Sequence, residues 1–173
     1  MSLSDDYQRA VQLHQQGNLQ DAEKLYRAIL EADPQYADAW HMLGLIAHQA
    51  NHQEPAVQCI QHALKLNPKQ PDYYQNLALV QHRTGNNAAA AETMIQLLKI
   101  MPQHLPGHQL HVQLRQEIGD ANALGIAWRA YGNALAAGGN REEALKAYRQ
   151  ALDRRPQDVE ILNNLGVVSM QLG

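Results

Sequence analysis

Histidine and cysteine are the side chains of this 173-residue sequence with the most chemistry to offer, nine of the first and one of the second. His14, His48 and His82 recur at intervals of 34 residues and are followed by Gln15, Gln49 and Arg83. Such a row can grip a peptide backbone through hydrogen bonds, and imidazole titrates near neutral pH. Metal chemistry is not expected. His104, His108 and His111 have i+4 and i+3 spacing, but Pro106-Gly107 interrupts the first interval, and a turn separates His48 from His52. Zinc needs its ligands at about 2.0–2.1 Å, whereas equivalent positions on neighbouring helices are set by packing at about 8–10 Å. Cys59 sits beside Val57 and Ile60 and reads as a small core residue rather than a nucleophile. The sequence has no G-x-S-x-G, no phosphate-binding glycine loop and no H-E-x-x-H, so the chain is expected not to be an enzyme and to need no cofactor.

The elements that must position these residues come from the same period. Pro34, Pro68 and Pro102 are 34 apart, each after an apolar helical run, and Ala22, Ala56 and Ala90 keep the same interval. Small residues at Gly44, Ala56, Ala78, Ala90, Gly132 and Ala144 let paired helices approach, and Trp40, Leu43 and Leu77 fill the gaps between them. Asn18, Asn51 and Asn140 each precede an acid by three residues, the spacing of a helix N-cap, and Pro55 sets a helix start near 52. These pairs cannot bury their apolar faces alone, so an all-α stack is expected.

Two places break the period. Pro156 follows Pro102 by 54 residues, which is 34 plus 20, and residues 105–124 have room for one helix and a turn. An extra helix there should change which helix faces inward. At the C-terminus, VEILNNLGVVSMQLG matches the first half of a repeat and is apolar nearly all round. That composition implies either a longer chain or burial by another copy.

Composition narrows the classes further. Hydrophobic residues make up 45% and include 25 alanines, aromatics are 5%, and there is no Phe. The chain is too apolar for disorder, and no run approaches 18 apolar residues, so no membrane partner is expected. Net charge is −3 with pI ≈ 6.3, and no Lys/Arg cluster exceeds Arg154-Arg155, so nucleic acid is not expected either. A lone cysteine and a start without a secretory pattern fit the cytoplasm.

The unit from residue 37, ADAWHMLGLIAHQANHQEPAVQCIQHALKLNPKQ, resembles the tetratricopeptide repeat through Trp40, Leu43, Gly44, Ala56, Ala63 and Pro68. The unit from 125 does so through Trp128, Gly132, Gly139, Ala144, Tyr148, Ala151 and Pro156, and the unit from 71 through Tyr74, Leu77, Ala78, Gly85, Ala90 and Pro102. Ala47, Ile60 and Met94 depart from the usual aromatics, and Asn51 from the usual turn glycine. The resemblance implies a right-handed helix-turn-helix solenoid. Its units would be 3–36, 37–70 and 71–104, an irregular inserted helix over 105–124, a unit over 125–158, and a half unit over 159–173.

The same resemblance implies a scaffold whose first helices line a concave groove for peptide or helical segments of partner proteins. By register, the groove residues are Tyr7, Gln8, Val11, His14 and Gln15; Asp38, His41, Met42, Leu45, His48 and Gln49; and Asp72, Gln75, Asn76, Leu79, His82 and Arg83. Tyr7 and Val11 stand where chaperone-binding relatives clamp a terminal carboxylate, so that clamp is absent. Few groove charges (Asp38, Asp72, Arg83, Arg129) imply an uncharged polar partner. An alternative is a substrate-presenting arm of a larger enzyme, since AEKLYRAILEADP resembles repeats ahead of bacterial glycosyltransferases of the SPINDLY type and of sulfotransferases. Self-association through 159–173 is a third reading.

Overall fold

A computed structural model describes residues 2–172. Among these residues the structure has ten α-helices and no strand, which gives the expected all-α class. The helices are α1 (Leu3–Gln15), α2 (Leu19–Ala32), α3 (Ala37–Gln49), α4 (Gln53–Leu66), α5 (Pro71–Arg83), α6 (Asn87–Ile100), α7 (Leu105–Ile118), α8 (Ala121–Ala137), α9 (Arg141–Leu152) and α10 (Val159–Met170). They divide into two compact units, Met1–Thr84 with α1 to α5 and Gly85–Gly173 with α6 to α10.

In the first unit each helix packs on the next, and α3 also meets α5. One core joins Ala10 of α1, Ala22, Tyr26 and Ile29 of α2, and Leu43 and Ile46 of α3. A second joins Ala56, Ile60 and Ala63 of α4 to Tyr73, Leu77 and Val80 of α5. The closeness of each pair depends on small residues. A Cβ added to Gly44 would lie 2.6 Å from Ile60 Cγ1 and 3.0 Å from the Ala56 carbonyl oxygen. No alanine fits there unless α3 and α4 separate.

The first helices α3, α5 and α7 each start from an anchored ring. Trp40 Nε1 donates to the Pro34 carbonyl (2.9 Å) and Tyr74 OH to the Pro68 carbonyl (3.1 Å), both six residues back. In the second unit His108 Nε2 donates to the Pro102 carbonyl (2.9 Å), in the same register. α7 is therefore a first-type helix in step with α3 and α5, ending at Gly119 with φ +83 where Gly17 (+79) and Gly85 (+76) turn. What is missing is its partner. The next first-type helix reaches its tryptophan, Trp128, 20 residues later, so this repeat is 14 residues short, the length of α2, α4 and α6. Val112 stands where Gly44 and Ala78 are small, and α8 packs on it through Leu124 and Ala127.

α8 is 17 residues long because its N-terminal extension fills space that a turn occupies elsewhere. Residue 122, six before Trp128, lies in that helix, and the buried Trp128 Nε1 has no acceptor. Beyond it α8, α9 and α10 resume the pattern, with a core of Leu135, Ala144, Tyr148, Ala151 and Ile161. Gly132 admits Tyr148, whose ring would lie 2.6 Å from an added Cβ. Gly166, at the same position on α10, faces open space.

Of the three expected asparagine caps, Asn18 makes the bond, Asn140 stands at the cap position without a side-chain cap bond, and Asn51 is displaced. Asn18 and Asn86 cap α2 and α6 by accepting from Asp21 N and Ala89 N, and Asn140 holds the cap position of α9. Asn51 does not cap α4: it adopts φ +60 in the left-handed position that Gly17 and Gly85 occupy, and His52 stands at the cap. Its side chain tolerates that conformation better than most, which is why it can replace the turn glycine.

Gly44→Val and Gly132→Val should each lower stability by about 1–3 kcal/mol in urea melts, as overpacking does. Gly166→Ala should cost nothing and add up to about 1 kcal/mol of helix propensity. Equal destabilisation by all three would show that the small residues do not set the helix spacing.

Candidate interaction surface

The residues expected to line a groove in the first unit lie on α1, α3 and α5, and the structure ties several of them together. Tyr73 OH donates to Asp38 Oδ1, Asn76 Nδ2 donates to His41 Nε2 (2.9 Å), and Gln49 Nε2 donates to His14 Nε2 (3.2 Å). In all three the partners are 35 residues apart, one repeat plus one residue, so each bond crosses from one first helix to the next. That offset follows from the 34-residue period, but nothing in the sequence marks which polar residues would meet.

Burial and charge shape these groups. His41 is buried at 7% exposure against the Tyr73 ring, with centroids 4.5 Å apart. Its pKa is lowered chiefly by burial, which the Asp38 and Asp72 carboxylates oppose. His14 packs edge-on to Tyr26, and burial lowers its pKa. Burial and the neighbouring Asp38 carboxylate raise Tyr73, while Tyr7, packed against Tyr26 and Tyr36, is pushed up to about 12. Tyr7 and Tyr73 are therefore neutral donors at physiological pH.

The expected histidine row takes different partners along its length. His14 bonds forward to α3, whereas His48 Nδ1 donates to Gln53 Oε1 (2.7 Å) at the start of α4. His82 is half-buried near the end of α5. Val11, Leu45, Gln75 and Asn76 are half-buried, while Gln15, Gln49, Leu79 and Arg83 are exposed, as is Asp72 at the start of α5. Asp38 is half-buried and engaged by Tyr73, which leaves Asp72 and Arg83 as the more accessible charges among these residues.

The histidines near Pro106 and the lone cysteine also have defined places. Pro106 and Gly107 do not interrupt a helix; they lie in the first turn of α7, and His104 caps it by accepting from Gly107 N (3.0 Å). Among the described residues no group of three His, Cys, Asp or Glu could hold a metal ion. Cys59 packs at the edge of the first core, and burial raises its thiol pKa, opposite to what a nucleophile needs.

The second unit builds its own surface. Arg129 of α8 reaches Glu160 of α10, with Asp158 at 4.0 Å. Asn133 Oδ1 accepts from both Tyr148 OH and Asn164 Nδ2, each at 2.9 Å. Between α6, α7 and α8 lies an open pocket of about 480 Å³, which no sequence signal announced because it exists only where the second helix is missing. His108 and His111 form part of its wall. His111 Nε2 accepts from Arg115 Nε (3.1 Å), and burial, Arg115 and His108 together lower its pKa to about 4. No described helix is long and apolar enough to cross a membrane.

Antiparallel helix pairs repeated at a fixed interval, with small residues at each crossing, define a helical-repeat protein. Sequence models of the tetratricopeptide repeat match residues 13–80 and 71–104, and a TPR repeat model matches 132–173. The chain belongs to the tetratricopeptide repeat family. It is similar in structure to YrrB, described as a TPR protein with an unusual peptide-binding site (19% identity, 91% of this chain and 89% of that one, TM-score 0.59). TTC0263, a thermophilic TPR protein of Thermus thermophilus, aligns over 98% of this chain and all of its own, at 17% identity and TM-score 0.58. An O-GlcNAc transferase variant of Thermobaculum terrenum aligns over 76% of this chain but 26% of its own length, at 19% identity and TM-score 0.62. At these identities the likeness is one of fold. No curated protein matches the sequence significantly.

Stability should fall with acid. Unfolded His111 protonates near 6.5 and the folded residue only near 4, so between those values the unfolded chain binds more protons. Stability is thus retained above 6.5 and lost as pH falls toward 4, by on the order of 2–3 kcal/mol from this residue. His14, His41 and His108 act in the same direction. Urea midpoints between pH 7 and 4 should show this slope, and His111→Gln should flatten it; an unchanged slope would show that His111 is not held neutral.

Proposed function

We propose that the chain is a non-catalytic, cytoplasmic protein-interaction scaffold that binds peptide or helical segments of partner proteins on the face formed by α1, α3 and α5. The observation that supports this most is the set of bonds from each first helix to the next, Asp38 to Tyr73, His41 to Asn76 and His14 to Gln49. They fix the spacing of the three helices before any partner arrives, so little ordering entropy is lost on binding. Gln15, Gln49, Asp72, Leu79 and Arg83 remain exposed beside them, as neutral donors and acceptors, one apolar contact and a balanced pair of charges. The peptide-binding description of YrrB, a fold relative, agrees with this use.

A selected peptide ligand provides the test. Peptides enriched on the immobilised chain should lose at least about ten-fold in affinity, roughly 1.4 kcal/mol, when His14, His48 and His82 are all changed to Ala. Unchanged affinity would remove the histidines from the binding surface, and recovery of no peptide would contradict the scaffold reading.

A second reading concerns α10. Val159 (67% exposed), Val167 (48%) and Met170 (78%) leave it largely uncovered, Gly166 opens a helix-sized seat, and residues 161–173 include no charged side chain. A second copy can use that seat. Light scattering should then show a concentration-dependent dimer mass that Val167→Glu with Met170→Glu returns to 19.3 kDa. A monomer at all concentrations would exclude self-association through α10.

A further inference from the structure

The missing second helix after α7 leaves the pocket of about 480 Å³ between α6, α7 and α8, a departure from the regular pairing of helices elsewhere in the chain. Its size falls within the roughly 300–1,000 Å³ of sites that bind small groups. Ile95 and Leu98 of α6 face Ile126 and Ala130 of α8 across it, and Ile126 is left 40% exposed although its neighbours Gly125 and Ala127 are buried. The walls are held in place. Gly107 lets α7 approach α6, since an added Cβ would lie 3.1 Å from Leu97 Cδ2, and His108 is tied to the Pro102 carbonyl and stacked on Tyr131.

We propose that this pocket is a second binding site, one that takes a bulky apolar side chain of a partner peptide while a carboxylate on the adjacent residue pairs with Lys99. Three features identify that occupant. The walls are mostly apolar, so a large apolar side chain seated there leaves water in part, which is where the affinity comes from. Lys99 is the one formally charged residue among the described residues lining the pocket, and no carboxylate in that lining offsets it, so the complementary charge is a single negative one. Gln103 and Asn133 place amide groups at the pocket, and because Asn133 Oδ1 already accepts two hydrogen bonds, its N–H₂ is what it offers a peptide carbonyl. This site lies in the second unit and does not depend on the α1, α3, α5 face.

The test titrates the full ¹⁵N-labelled chain with acetyl-Gly-Phe-Glu-Gly-amide, its Gln-for-Glu and Ala-for-Phe counterparts, and free 3-phenylpropionate. The expected result is saturable shifts at Leu98, Lys99, Ile126 and Ala130 with the Phe-Glu peptide, and none with the Ala-for-Phe peptide. The Gln-for-Glu peptide should bind about three- to five-fold more weakly, the range of an exposed ion pair, and Lys99→Gln should make the two peptides equal. Ala130→Trp should fill the pocket and abolish the shifts while leaving the melt in place. No saturable shift at these residues overturns the proposal, as do shifts confined to α1, α3 and α5, equal binding of both peptides to the unaltered chain, or 3-phenylpropionate binding as tightly as the peptide. Shifts that follow protein concentration without peptide would assign the pocket to a second copy and also overturn it.

Discussion

A single hydrogen bond sets where α3, α5 and α7 begin. A ring on the fourth residue of α3, α5 and α7 donates to the carbonyl of a proline turn six residues back, from Trp40 to Pro34, Tyr74 to Pro68 and His108 to Pro102. Proline cannot carry the preceding helix onward, and its carbonyl is left for the ring. The bond orients the first helix, and that orientation brings Gly44 onto Ile60 and places Ala78 in the buried interior. Trp, Tyr and His all fill the role because each has an apolar body and a donor at its far edge.

That constraint explains the irregular stretch. α7 keeps the anchor and the turn glycine but not the 14-residue second helix, and Val112 replaces the small residue that would admit one. α8 takes the vacated side and starts a turn early, which removes the carbonyl Trp128 would have used. The same substitution of one helix for another leaves His111 buried and neutral and opens the pocket lined by Lys99 and Ile126. A buried donor without an acceptor, a depressed imidazole and an unfilled apolar cleft are three consequences of one missing helix.

Much of the fold was legible because a repeat states its period several times. The prolines, the small residues and the caps each marked the same helices. Asn51 was ambiguous because asparagine both caps helices and tolerates positive φ, and only the register against Gly17 and Gly85 separates the two. From sequence α7 looks irregular because His108 does not resemble Trp40 or Tyr74, although it makes the same bond. The residues expected to line a groove were legible as positions on first helices, but not by the partners they bond. Whether His41 points outward or pairs with Asn76 against Tyr73 depends on a one-residue offset between helices, which no spacing in the chain specifies. The pocket had no signal at all, since it arises from what the sequence omits.

Residues 105–124 are thus a repeat without its second helix, and this puts Trp128 out of step with its anchor. Deleting 105–124 places Trp128 six residues after Pro102, the position His108 holds now. The most direct measurement is hydrogen exchange of the two indole N–H groups by NMR, in the intact chain and in the deletion variant. The Trp40 indole should be protected in both, and the Trp128 indole should gain protection and a downfield shift on deletion. A variant that folds with the Trp128 indole unchanged, or one that no longer folds, would contradict a missing second helix as the origin of the irregular stretch.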